Sequence, residues 1–293
     1  MKQSNKHHYL PEFYLRGFTN KDGQFAIYDC EKQRIKDRMF YPSTHFFEKH
    51  RNTIEFLGNK TDILEQAYSQ FDNRHSKLLK LIQETENPLL LDLQQIINLQ
   101  EFISHIFWRL PENDQLYMNE YKSNLNFSKT FKIRDKITKE EVNNSRTEDI
   151  LKSEPFIKAV RALAGNISHL SYTSAQDYHN WKLSYSQNSF KVCSDSPIIF
   201  KTANPKNIFE SDFIFPVTKK HLLMRTFNSL EIKFLKPEIC MVIDLIIFKQ
   251  AKLFCCCSRK DYLTTISSLA NNYDLEALKN RLFQYIHNHP CSP

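Results

Sequence analysis

The chain has 293 residues, 41% of them apolar and 25% charged, which is the balance of a folded globular protein rather than a disordered one. Its net charge is +7, and a positive excess of that size suits a polyanion such as RNA or DNA as readily as it suits plain solubility. The most apolar stretch, ICMVIDLIIF at 239–248, is interrupted by Asp244 and falls short of the roughly 18 to 20 residues that cross a bilayer, so no membrane contact is expected.

The first ten residues, MKQSNKHHYL, lack the apolar core of a signal peptide, and the expected location is the cytoplasm. HHYLPEFYLRGF at 7–18 is the densest motif, with two histidines and four aromatics. If it is extended, His7 and His8 face opposite ways and only one can enter a given site. His8 then shares a face with Leu10 and Tyr14, and Pro11 marks a bend. NKDG at 20–23 reads as a turn, QFAIYDCEKQRIKDRMF at 24–40 as a hairpin, and 41–59 as loop.

A helix is expected from Thr61-Asp62 onward. Asp62 and Glu65 have the spacing of a capping box, and Leu64, Tyr68, Phe71, His75, Leu78 and Ile82 recur at helical intervals. Asn87-Pro88 ends it, and the apolar 89–110 forms a second helix up to Pro111. Residues 112–145 are polar and Lys-rich, holding either one exposed helix or a mobile insertion. A third helix is expected over 146–172. From 178 short aromatic and β-branched runs predict a mostly antiparallel sheet to 235. A helix (PEICMVIDLIIFKQA), a strand (KLFCCC) and two helices near 259–288 follow. Strands and helices are segregated, which predicts an α+β fold with an N-terminal hairpin, a central helical bundle and a C-terminal mostly antiparallel sheet with flanking helices. The expected organisation is one domain, 1–293: a β-rich start (1–59), a helical middle (60–172) and a sheet-plus-helices end (173–293).

With only four glycines, the chain has no GxGxxG, no P-loop and no GxSxG elbow, so dinucleotide, nucleoside-triphosphate and α/β-hydrolase chemistries fall away. HExxH and zinc-finger spacings are also absent. Seven cysteines include three in a row, Cys255 to Cys257, but no CxxC, and read as small buried hydrophobes.

Several segments resemble a known family. HHYLPEFYLRGF is similar to the opening His-His-Tyr-x-Pro-x-x-Tyr-Leu-x-x-Phe of bacterial proteins grouped as domain-of-unknown-function family 4238, here His7, His8, Tyr9, Pro11, Tyr14, Leu15 and Phe18. LEQAYSQFD resembles a family helix with two Glu residues, here Glu65 and Asp72. HIFWRLP resembles its Arg-x-Pro, here Arg109 and Pro111. VCSDSPIIF resembles its Ser-Asp-x-Pro strand end, here Ser194, Asp195 and Pro197, and FPVTKKHLL its Pro-Leu-Ser segment, here Pro216, Val217 and Thr218. Asp72 for Glu, and Val-Thr for Leu-Ser, depart from the pattern. The resemblance implies the domain and no established activity.

The candidate catalytic residues are His7, His8, Glu65, Asp72 and Asp195. A histidine here serves as a metal ligand or general base, or else locks the N-terminus by bonding a backbone carbonyl. Glu65 and Asp72 lie seven apart, two helical turns, so both project from one stripe. Their partner is a divalent metal shared with His7 or His8, or Arg109, or only solvent. Arg109 ends an apolar helix, where it can satisfy free carbonyls, or its planar fork can hold a phosphate or carboxylate. Asp195 at a strand end is either a site carboxylate or a turn residue. Substrate-binding candidates are Tyr9, Tyr14, Arg109, Lys191 and Lys201. Cys193 and Ser194 are weak nucleophile candidates without an assignable histidine. Asn166 and His169 read as an ordinary helix face.

Two functions are expected from these residues. The first is an RNase-like nuclease in which a divalent ion, Mg or Mn, held by His8, Glu65 and Asp195 activates water against a phosphodiester, as a toxin or phage-defence effector. The alternative is a non-enzymatic binding protein. Its basic stretch 201–260, with eleven Lys/Arg against five Asp/Glu, would meet nucleic acid or an acidic partner. Convergence of His8, Glu65, Arg109 and Asp195 in one cleft would favour the enzyme. Oligomeric state is left open.

Overall fold

The computed structural model describes residues 5–56, 59–85, 91–123, 134, 137–141, 145–172, 177–186, 191–202, 205, 208–226 and 235–288. The opening motif is not one extended segment. Lys6–His8 is a strand (β1), and Pro11 then starts a turn of helix, Glu12–Leu15 (α1), continued by a 3-10 turn at Arg16–Phe18. Proline suits a helix start because the N–H it lacks would find no helical partner there. The Asn20 side chain accepts the amides of Asp22 and Gln24, closing the expected turn. Ala26–Asp29 (β2) and Arg34–Ile35 (β3) form the expected hairpin.

Residues 41–59 are more ordered than a loop. Phe47–Lys49 (β4) pairs antiparallel with β1, and Ile54–Phe56 (β5) with Asn59–Thr61 (β6). Phe46, just before β4, is buried with φ at 60°, a left-handed conformation that a bulky side chain seldom adopts. Its carbonyl accepts the amides of Tyr9 at 3.1 Å and Leu10 at 3.5 Å, so the strained residue ties down the opening motif.

The two long helices arise where the apolar period predicts them, as Ile63–Glu84 (α2) and Leu93–Arg109 (α3). The capping box does not form at Asp62. Asp62 instead accepts from the Thr53 hydroxyl and Glu65 from the Asn52 amide, while the reciprocal box forms at Asp92 and Gln95 of α3. Asp114–Ser123 (α4) opens the polar stretch and seats Tyr117 and Tyr121 in the core. The expected third helix is two, Ser145–Lys152 (α5) and Glu154–Tyr172 (α6). Pro155 explains the break, because it lacks the N–H that would continue the hydrogen bonds of α5 and is tolerated in the first turn of α6.

After α6 come the strands Trp181–Tyr185 (β7), Cys193–Ser194 (β8), Ile199–Phe200 (β9), Phe213–Pro216 (β10) and His221–Arg225 (β11). Helix Pro237–Gln250 (α7), strand Phe254–Cys257 (β12) and helices Lys260–Ala270 (α8) and Leu275–Asn288 (α9) complete the chain. Two four-stranded antiparallel sheets result, ordered β7-β11-β10-β9 and β3-β2-β12-β8. The fold is α+β, as expected. One strand crosses the sequence division: β8 leaves its neighbours to pair with β12, which in turn pairs with the N-terminal β2.

The cysteine triplet shows the layering. Successive strand residues face opposite ways, so Cys256 packs with Cys193, Ile27, Tyr14 and Phe102 on one side of its sheet. Cys255 and Cys257 pack with Ile243 and Leu263 on the other. The other sheet alternates likewise: Phe213 and Phe215 face the first core, Ile214 and Leu222 the second. Helices α2 and α3 with the opening motif build the first core, and α7 to α9 the second. Among the described residues no helix is long and apolar enough to cross a membrane.

Helices α3 and α6 approach closely at Gly165, whose added Cβ would lie 2.6 Å from the His105 ring Nδ1. Gly165→Ala gains about 1 kcal/mol of helix propensity but overpacks a buried ring at about 1–3 kcal/mol. A lower melting temperature is expected, and an alanine variant as stable as the wild type would contradict this packing.

Candidate active site

Residues far apart in sequence meet at a cavity of about 310 Å³ between α1 and α2. Glu65, Ser69 and Asp72 line it from α2, because steps of four and three residues keep them on one stripe. His8 reaches it from the end of β1, Arg109 from the last turn of α3, and Glu12, Phe13 and Arg16 from α1 and the turn after it.

Arg109 is the most constrained of these groups. It is 6% exposed and is gripped by both oxygens of Asp72, at 2.7 and 3.4 Å. It also donates to the His8 carbonyl at 2.9 Å, and its guanidinium lies 4.5 Å over the Tyr68 ring. Burial pulls its pKa down, but the charge and hydrogen bonds of Asp72 outweigh burial and push it up. Its Nε–H finds no acceptor among the described residues. The free carbonyls at the end of α3 are not its concern, contrary to one expectation for it. Arg51 donates to the Arg109 carbonyl at 3.3 Å and Arg161 to that of Trp108 at 2.9 Å, and both arginines grip Asp114.

The two histidines do face opposite ways. His7 is fully buried, and its Nδ1 accepts the Asn52 amide at 2.8 Å, which leaves the ring proton on Nε2, 3.9 Å from Asp62. It anchors the segment through the Asn52 amide. His8 points to the cavity. Its Nε2 is buried without a hydrogen bond and lies 4.0 Å from a Glu12 oxygen. Burial lowers its pKa, only partly offset by Glu12, so the ring is neutral at pH 7 with a lone pair to offer. Glu65 is fixed by the Asn52 side chain and sits 3.7 Å from His7.

A family model described as a protein of unknown function, DUF4238, matches residues 6–254. The chain belongs to this family. No curated protein matches the chain, and no solved structure does.

Other candidate residues of this DUF4238 protein stand elsewhere. Asp195 is buried, and its carboxylate accepts the amides of Lys252, Leu253 and Phe254 at 3.1, 2.8 and 3.3 Å. It does not line the cavity, so the expected ligand set of His8, Glu65 and Asp195 is not assembled. Among the described residues no three His, Cys, Asp or Glu side chains are placed to hold a metal ion. Asp72 is paired with Arg109. Tyr14 belongs to the core, donating to the Pro216 carbonyl at 2.8 Å and stacking on Phe215. Tyr9 is buried with an unpartnered hydroxyl, away from the cavity. Lys191 is buried beside Asp244, and Lys201 pairs with Asp212 at 3.8 Å. Cys193 and Ser194 are fully buried. Asn166 accepts from His105 inside the helical layer, and the His169 side chain lies outside the described residues.

Four described cations of the basic stretch 201–260 are held by backbone carbonyls. Arg225 is buried on the Ser211 carbonyl, Lys219 holds the Thr19 carbonyl, Lys249 that of Ala270 and Lys260 that of Asp37. These cations satisfy backbone acceptors between elements, a role that a charge count cannot distinguish from solvent exposure.

Sequence reasoning missed Glu12, Phe13, Arg16 and Ser69 as cavity groups. The signal was present for three of them, since Ser69 falls on the Glu65–Asp72 stripe and Glu12 and Arg16 are four apart.

Proposed function

We propose that this DUF4238 protein cleaves RNA at the His8–Glu65 cavity by acid–base chemistry. The observation that carries the reading is His8, which lines a cavity together with Glu65 and Arg109 and whose buried Nε2 has no hydrogen-bond partner. Neutral His8 takes a proton from a ribose 2′-hydroxyl. The 2′-oxygen attacks phosphorus, the P–O5′ bond breaks, and the departing 5′-oxygen receives the proton back by way of water, leaving a 2′,3′-cyclic phosphate. Glu65, held by Asn52, orients the ribose. Exposed Arg16 meets the charge developing on the phosphoryl oxygens. Arg109 is a positioning residue: it fixes the backbone of His8 and is itself fixed by Asp72. Asp72 is gripped by Arg109 and Glu12 lies 3.6 Å from exposed Arg16, so Glu65 is the carboxylate of the described lining without an arginine partner.

Purified protein should convert a labelled single-stranded RNA to cyclic-phosphate products, in chelator as in its absence. His8→Gln and Glu65→Gln should lose turnover while keeping the wild-type melting temperature. Cleavage that survives both substitutions would overturn the assignment. As a toxin or defence effector, the wild type should slow growth when expressed, and the Glu65→Gln variant should not.

A second reading rests on the anchoring role of the motif: His7, the His8 carbonyl and Tyr14 all tie the N-terminal segment to the core. A binding protein without turnover would show affinity that falls with salt and no product at any enzyme concentration.

A further inference from the structure

The stripe of α2 that lines the cavity continues past it. Residues 65, 69, 72, 76, 80 and 83 follow one another by three or four positions, so they share one face over about 27 Å of helix. Its N-terminal half carries Glu65 and Asp72. Its C-terminal half, with Lys77 alongside, lines a second cavity of about 400 Å³ against α1. The two cavities share Phe13 and Arg16, so they adjoin.

The second cavity has a different character. Arg16, Lys77 and Lys80 line it against the single carboxylate of Glu84. The Lys80–Glu84 pair is a 3.8 Å contact between exposed side chains, and Arg16 meets Glu12 at 3.6 Å with its own side chain 64% exposed. Solvent-exposed pairs of this kind hold their cations weakly, which leaves them available to a stronger anion. Lys77 is exposed and forms no ion pair among the described residues. Phe13 is half-buried, its ring 5.8 Å from Phe102, and it stands where the two cavities meet.

Resting on the RNase reading above, we infer that the α1–α2 groove is the track for single-stranded RNA. The strand lies along α2, with its phosphates on Lys77, Lys80 and Arg16, a base against Phe13, and the scissile ribose at His8. Cations that follow a backbone, with an aromatic ring between them and the reacting group, are what a single strand needs. The basic groove also explains how a polyanion approaches a reaction cavity whose own lining is rich in carboxylates.

The experiment uses full-length protein and the double variant Lys77→Ala/Lys80→Ala. Binding of a fluorescent twelve-nucleotide oligouridine to the inactive His8→Gln protein is read by anisotropy across a salt series. Adding the double variant should weaken binding roughly tenfold or more at low salt. It should also reduce the slope of log affinity against log salt by about 1.4, the value for two phosphate contacts on a single strand. In the otherwise wild-type protein the double variant should raise KM for the oligonucleotide with kcat unchanged, and leave a dinucleotide substrate unaffected. An unchanged salt slope overturns the track, as does an equal loss on the dinucleotide. A polyglutamate peptide of matched charge that binds as tightly, with the same lysine dependence, would replace RNA with an acidic peptide. Binding by the track without cleavage by the wild type would retain the track and remove the catalytic reading, so the two fail separately.

Discussion

Replacing Asp72 with alanine is expected to destabilise the fold by about 3 kcal/mol, the lower end of the range for removing one partner of a buried ion pair. Arg109 is 6% exposed, and Asp72 supplies its only carboxylate, through two hydrogen bonds. Without Asp72 a full positive charge stays buried against Tyr68 with one carbonyl acceptor, that of His8, among the described residues. The lower end applies because Asp72 itself keeps a quarter of its side-chain surface, which lets water reach the vacated place. Urea unfolding measures the loss. The double variant Asp72→Leu/Arg109→Met should recover part of it, since no uncompensated charge remains. A loss below about 1 kcal/mol for Asp72→Ala would mean that the pair is not buried in solution.

The second large effect is a loss of stability on acidification that is traceable to His105. Burial holds this ring near pKa 3 against an ordinary 6.5, with the nearby His75 and Arg109 acting in the same direction. A histidine with a depressed folded pKa is neutral when folded and protonated when unfolded throughout that window. The unfolded chain therefore binds the extra proton, and stability falls as pH drops from 6.5 toward 3. The slope for one such group is about 1.4 kcal/mol per pH unit. Glu101, held near 2 chiefly by the His75 ring 3.3 Å away, adds a loss of the same sign below its ordinary 4.5. Burial raises the carboxyls of Asp195 and Asp244, which act in the opposite sense. The informative measurement is therefore a comparison: His105→Gln should unfold in urea with a pH dependence shallower by about one proton between pH 6 and 4. Parallel profiles for variant and wild type would show that His105 is not held neutral.

Much of the fold is legible in the sequence because local periodicity reports it. The apolar spacing of α2 and α3, the hairpin of β2 and β3, and the short strands after 178 all announce themselves within a dozen residues. Corrections occur where the deciding contact is remote or where one residue overrides a pattern. Asp62 and Glu65 have capping-box spacing, but Thr53 and Asn52 lie within reach and take their oxygens. Pro155 splits a helix whose apolar period runs straight through it.

For the site, the sequence by itself determined the family, the segregation of helices and strands, the opposite facing of His7 and His8, and the shared stripe of Glu65 and Asp72. Each of these depends on residue order and backbone geometry alone. Only the tertiary structure decided who partners whom. It sent Asp195 to the amides of 252–254, gave Asp72 to Arg109, and turned Lys219, Lys249 and Lys260 into ties on distant carbonyls. Charge and hydrogen-bond capacity are properties of a residue, whereas the acceptor or ion that uses them is fixed by packing between segments as far as 223 positions apart. For that reason residue type singled out both histidines of HHYLPEFYLRGF, but only the fold tied His7 to the Asn52 amide and put His8 in the cavity lining.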